Sequence, residues 1–480
     1  MKYRPEIDGL RAVAVVPVIL FHAGFAPFAG GFVGVDIFFV ISGYLITSII
    51  LKESAEGQFS IVKFYERRAR RILPALFLVL LCCLPFAWIY LTPAEMRDFA
   101  QSLIGVATFS SNFLFWLESG YFDTAAELKP LLHTWSLAVE EQFYIIYPLI
   151  IMAAWRFGRH KVVWITAVIF VVSLIYSQWA ALNTPSAAFF LLPARAWELM
   201  IGAFAAFYLA REDRRFALPD GANQVLSLLG IAAIALTIAI YDEHVPFPGF
   251  YALLPTVGTV LIILCAQERT LVWRVLSAPA LVGIGLVSYS AYLWHQPLFV
   301  FARQRSLEEP STLLMGILCI VTFALAYGTW LFVETPYRRK GVVSRAHVFR
   351  FATVGIVGFA AIGLVGDVND GFKGRISQDY LDRLASQNAG QKARHEAVQN
   401  GICHFSQRGK YRRIDEFTKN WACAPEGSGA TGTAILVFGD SHGADKAMAL
   451  RENAVDFAQI TGARCALAPG RVSVDYNYCM

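Results

Sequence analysis

Long apolar runs separated by short charged ones set the rhythm of this chain. A helix needs about 20 predominantly apolar residues to cross about 30 Å of hydrocarbon. Runs of that kind recur at 12–32, 33–51, 72–91, 139–155, 162–181, 189–209, 224–241, 250–267, 280–302, 311–333 and 350–366. The pattern predicts an α-helical polytopic membrane protein with about eleven spans. A further stretch, 99–117, is ambiguous, because it holds Gln101, Ser102, Ser110, Ser111 and Asn112 between Asp98 and Glu118.

Charge placement decides that stretch, since Lys and Arg collect in cytoplasmic loops. With 99–117 counted as re-entrant or interfacial, basic clusters fall at 52–71, 156–161, 211–215, 269–274 and 338–350, all on one side. The other side holds Arg97, Lys129, Arg303 and Arg305. Lys2 and Arg4 precede the first run, which places the N-terminus in the cytoplasm and everything after about Gly366 outside it. The first run is also too long for a cleaved secretory signal.

Composition supports this reading. The 480 residues are 56% hydrophobic and 16% charged, with a mean hydropathy of +0.50, against about 25% charged in soluble domains. The formal charge of +5 lies almost wholly on one face, so it reports membrane orientation and not a nucleic-acid partner. Cys82, Cys83, Cys265 and Cys319 fall in apolar runs, whereas Cys403, Cys423, Cys465 and Cys479 fall in the polar tail. An even set in an oxidising compartment points to two disulfides, most simply Cys403–Cys423 and Cys465–Cys479, although four cysteines allow three pairings.

The tail changes character at 434. A short β-type run at 434–438, a turn at Gly439-Asp440-Ser441-His442 and a helical pattern at 444–458 make a strand–turn–helix unit of an α/β domain. Residues 1–340 form a membrane domain, 341–433 a last span and linker, and 434–480 this α/β unit.

Ionisable groups inside a membrane are costly and mark function by default. Arg11 and His22 are eleven residues apart, which returns to within roughly 20° of one helix face about 16 Å along the axis. They form either a functional pair or an interfacial anchor and an interhelical hydrogen bonder. Asp36, after Gly30, Gly31 and Gly34, either orients His22 or caps the second helix. Arg67, Arg68, Arg70 and Arg71 suit a polyphosphate such as that of coenzyme A, but positive-inside anchors have the same look. His133, Ser136 and Glu140 share a helix face as a candidate proton-handling set. Ser288, Tyr292 and His295 repeat the theme, but with Trp294 they also make an ordinary aromatic belt, which is the favoured reading there.

The chain resembles acyltransferase family 3. The resemblance rests on Tyr3-Arg4-Pro5-Glu6-Ile7-Asp8-Gly9-Leu10-Arg11-Ala12, the Arg11-to-His22 spacing, the block from Gly31 to Gly43, the arginine run at 67–71 and the block from Leu131 to Tyr144, in order over 1 to about 340. It implies transfer of an acyl group, usually acetyl, from cytoplasmic acyl-coenzyme A to a hydroxyl of an extracytoplasmic glycan such as lipopolysaccharide O-antigen, exopolysaccharide or peptidoglycan. It further implies a bacterial inner membrane location, Arg11 and His22 as the essential pair, Arg68 and Arg71 as a second motif, and neither a permanently bound cofactor nor a metal. The tail resembles the start of an SGNH hydrolase-type domain, with Ser441 in the nucleophile's place. No Asp-x-x-His follows Ser441, so a truncated or inactive tail is expected. Two other classes stay open: a proton-coupled transporter or flippase, in which the buried ionisable groups form a relay, and a non-catalytic remnant.

Overall fold

A computed structural model describes residues 3–379 apart from 120–127, 211–217, 243, 307–308 and 340, together with 382, 404–405, 435–439 and 457–462. The chain divides into two compact units, Met1–Lys373 and Gly374–Met480. The first unit takes in the last long helix, which the sequence pattern assigns to a separate linker segment.

Helix α1 (Pro5–His22) begins with proline in its first turn, where a missing N–H costs nothing, and with Glu6 and Asp8, which complement the helix dipole. It ends at His22, and Gly24, at φ 81°, turns the chain into a 3₁₀ segment, Ala26–Val33. The predicted span 12–32 is thereby corrected: hydropathy runs on through this stretch, but Gly24 and Pro27 stop the helix, so His22 stands at the end of α1 instead of mid-span. Helix α2 (Gly34–Ala55) returns against α1. A Cβ on Gly34 would lie 2.2 Å from the Ala14 carbonyl oxygen, so only glycine permits the approach.

Helix α3 (Ile61–Tyr90) is capped by Ser60 and starts eleven residues before the predicted span, which places the arginine run inside a helix. The ambiguous stretch is two short helices, α4 (Pro93–Ala107) and α5 (Ser111–Leu117), broken at Phe109, φ 53°. Thr92 and Glu95 form a capping box at the start of α4. The chain continues through α6 (Thr134–Trp155), α7 (Arg159–Asn183), α8 (Pro185–Phe190), α9 (Leu192–Leu209) and α10 (Asp220–Ile240). After a 3₁₀ turn come α11 (Leu253–Cys265), α12 (Leu271–Leu276), α13 (Pro279–Arg305) and α14 (Thr312–Thr329). A π-turn at Trp330–Glu334 leads to α15 (Thr335–Arg338), and α16 (Arg345–Val368) closes the unit, with its Asp367 accepting from Arg97 of α4 at 2.7 Å.

Among the described residues eight helices are long and apolar enough to cross a membrane. The three remaining predicted runs fold as α1, α11 and α13. Burial separates inner from outer helices: the apolar window of α2 is 72% buried, those of α7, α14 and α16 only 22%. The outer helices therefore present large apolar side chains such as Trp164, Val172, Ile320 and Val354 to lipid. α13 packs parallel to α1, and at their closest point a Cβ on Gly285 would meet the Asp8 carbonyl oxygen.

In the second unit, β1 (His404–Phe405), β2 (Ile435–Gly439) and β3 (Phe457–Gly462) form a parallel sheet in the order β1-β3-β2. β2 is the predicted strand shifted by one residue. Ile435 pairs with Phe457 and Gly439 with Thr461, and parallel pairing of successive strands needs a crossover connection. The predicted helix 444–458 is corrected at its end, because Phe457 and Ala458 already belong to β3. Ser441 and the four tail cysteines lie outside the described residues.

Candidate functional site

Helix phase sorts the arginines of α3. Arg67 and Arg70 lie on one face and Arg68 and Arg71 on the next, each pair three residues apart. Arg67 donates to Glu53 at 3.0 Å. Arg70 donates to Glu66 at 2.8 Å and to the carbonyls of Tyr337 and Val343, tying α3 to the chain around α15. Those two cations are spent on structure. Arg68 and Arg71 instead face a cavity whose wall is built by α1, α2, α3, α6 and α13. The Arg68 guanidinium lies over the Phe64 and Tyr144 rings, 5.9 Å from each centroid, and its Nε is buried without a hydrogen-bond partner.

Arg11 lines the same cavity, held by Asp8 at 2.6 Å, and Glu140 stands opposite. Ser42 donates to Glu140 at 2.7 Å, and Tyr144 donates to both Ser42 and Glu140. Three of the sequence-selected cations and one carboxylate thus meet in one chamber, although they come from α1, α3 and α6. The cavity has a volume of about 90 Å³. That suits an extended chain better than a nucleotide. Ser136, Ser288 and Tyr292 line it too.

Tyr292 separates this cavity from a cluster of imidazoles. Its hydroxyl is 2.7 Å from that of Ser136 and donates to the His133 carbonyl at 3.0 Å. Beyond it, the ring of His295 lies 5.1 Å from His22 and 5.4 Å from His133, centroid to centroid. His22 Nδ1 is 2.9 Å from the Val18 carbonyl, and His295 Nδ1 is 2.6 Å from that of Tyr292. A carbonyl only accepts, so both Nδ1 atoms carry a proton, and in the neutral imidazole each Nε2 then presents a lone pair. Arg303 donates to the His22 backbone carbonyl at 2.7 Å and so caps the end of α1.

Asp36 does not orient His22. Its Oδ1 accepts from Arg195 at 3.1 Å, and Arg195 also holds Glu198 at 2.9 Å, all three side chains being fully buried. The reason is the early end of α1: Asp36 starts α2 and points to α9. Phe39, Trp135, Phe189 and Phe247 ring the guanidinium at 5.3–5.9 Å. The hydropathy pattern alone does not mark Arg195 and Glu198; the available signal is two charges three residues apart inside an apolar run. His295, for which the sequence favours an aromatic belt over a second proton-handling set, is 0% exposed and belongs to the cluster.

Residues 4–331 match the acyltransferase domain family. The peptidoglycan O-acetyltransferase OatA of Listeria monocytogenes is 30% identical over 356 residues, covering 72% of this chain and 57% of the relative. The O-acetyltransferase OatA of Staphylococcus aureus is 33% identical over 355 residues, covering 71% and 58%. The chain therefore spans less than two thirds of the length of these relatives. No solved structure matches it.

Proposed function

Because the chain belongs to the acyltransferase domain family, we propose that it moves an acyl group, in the first instance acetyl, from cytoplasmic acyl-coenzyme A to a hydroxyl of an envelope polysaccharide across the membrane. The observation that carries this reading is one line through the bundle: Arg11, Arg68 and Arg71 around a narrow cavity, then Tyr292, then His22 at the far end of α1. In this reading α1 runs outward from the cytoplasm in a bacterial inner membrane, the chain crosses eleven times, and the second unit lies outside. Peptidoglycan, named for the Listeria relative, is the first acceptor to assay, ahead of lipopolysaccharide O-antigen and exopolysaccharide. Ser441 would serve in the tail as a relay nucleophile of SGNH type.

The mechanism follows from charge and width. Guanidiniums bind phosphate in a bidentate fork, so Arg68 and Arg71 hold the donor's phosphates at the mouth while its thin thioester arm rises past Arg11 and Glu140. His22 Nε2, with its lone pair free, then acts on the acyl carbon as base or transient carrier.

The arginines give the test. In membrane vesicles supplied with labelled acetyl-coenzyme A and peptidoglycan acceptor, Arg68→Ala with Arg71→Ala should raise the donor KM by about tenfold or more, because charge-assisted bonds of about 1.5–3 kcal/mol each are lost from ground-state binding. kcat should change little. Arg67→Ala with Arg70→Ala should lower protein level without moving KM. An unchanged KM in the first pair would remove the phosphate role.

A further inference from the structure

The His22 and His295 rings lie 5.1 Å apart, centroid to centroid, and neither Nε2 is given a donor by the other. Both Nδ1 atoms are committed to carbonyls, at 2.9 Å and 2.6 Å, and His295 Nε2 is buried with no hydrogen-bond partner. A buried polar atom left unpaired costs about 1–3 kcal/mol, and such an atom in a cluster of ionisable groups marks a place where another group completes the bond. What completes a lone pair is an N–H or O–H. His22 is only partly buried, whereas His295 is 0% exposed, so of the two imidazoles His22 is the one open to an incoming group at the end of α1. An aromatic-belt role would require His295 to sit at an interface, which its burial rules out.

We propose that His295 is a second catalytic imidazole, the base for the acceptor hydroxyl, which binds between His22 and His295. This rests on the acyltransferase reading above. In the first half-reaction the His22 Nε2 lone pair forms a bond to the thioester carbon, the C–S bond breaks, and the sulfur leaves as thiolate; His22 keeps its Nδ1 proton and becomes an N-acyl imidazolium. In the second, the acceptor oxygen bonds to the acyl carbon as its proton passes to His295 Nε2. The bond to His22 breaks with its electron pair returning to Nε2. His22 is neutral again, and His295 holds one proton to release to water, which balances the thiolate left on the donor side. The His133 ring meets that of His295 edge-on, 5.4 Å away, and holds it from the side of α6.

Asparagine separates a catalytic role from a structural one. Its side-chain N–H can replace His295 Nδ1–H in the bond to the Tyr292 carbonyl, but it offers nothing in the place of Nε2. In vesicles of the full chain with labelled acetyl-coenzyme A, His295→Asn should still release about one equivalent of free coenzyme A per protein while transfer to peptidoglycan falls about 100-fold or more. His22→Ala should release none. Transfer within about threefold of wild type in His295→Asn, with His22→Ala inactive, would overturn the role of His295 alone, as would loss of the one-equivalent release in well-folded His295→Asn. Wild-type transfer by His22→Ala would overturn the reading on which the proposal rests.

Discussion

Replacing His22 by alanine is expected to abolish acyl transfer, with a loss of at least about 100-fold and up to about 10,000-fold, the range for removing a positioned proton-transfer group. Protein level and membrane insertion should hardly change. The imidazole makes one hydrogen bond, from Nδ1 to the Val18 carbonyl, worth a net of about 1 kcal/mol. The end of α1 keeps its cap, because Arg303 donates to the backbone carbonyl of residue 22 and not to the ring. His22→Asn retains a donor for Val18 and should be equally inactive. The measurement is transfer of labelled acetyl in vesicles, normalised to membrane protein. Activity in either variant within a few-fold of wild type would show that the imidazole carries no chemistry.

The largest expected effect on stability belongs to Arg195. Replacing it by methionine keeps most of the packing among Phe39, Trp135, Phe189 and Phe247 but leaves Asp36 and Glu198 buried side by side without a cation. Breaking a buried ion pair in this way costs about 3–5 kcal/mol, a large part of the stability of an ordinary fold. Arg195→Met should therefore fall sharply in level and melting temperature in detergent. Adding Asp36→Leu and Glu198→Met should recover most of the loss, since an apolar replacement of a whole buried ionic group is often neutral. A single variant that melts like wild type would show that the ion group is not holding α2 to α9.

The helices were legible because lipid imposes length and hydropathy on every crossing. Boundaries were not: hydropathy continues from α1 into Phe25, Phe28 and Phe32, and only the positive φ of Gly24 and the proline at 27 end the helix. Within the site, Arg11, Arg68, Arg71 and Glu140 could be picked out as charges in or beside apolar runs, and they do share a cavity. Arg68 and Arg71 stand out from the run only through the family resemblance, since Arg67 and Arg70 share their three-residue spacing. That Arg67 and Arg70 are neutralised by Glu53 and Glu66 depends on where α2 ends and α3 begins. For Asp36 the sequence leaves two local readings open, orienting His22 or capping α2, whereas its partner is Arg195, 159 residues away. The imidazole cluster joins α1 to α13 and the start of α6, and no local pattern links 22, 133 and 295.

In the proposed mechanism acyl donor and acceptor meet through this bundle from opposite sides. Sealed vesicles of one orientation, with the N-terminal face of α1 outward, allow a direct test: labelled acetyl-coenzyme A, which does not cross the bilayer, is added outside, and peptidoglycan acceptor is enclosed within. Label on the enclosed acceptor in wild type, and its absence in His22→Ala, is the predicted result. Label appearing only when donor and acceptor share one side of the membrane would contradict the account.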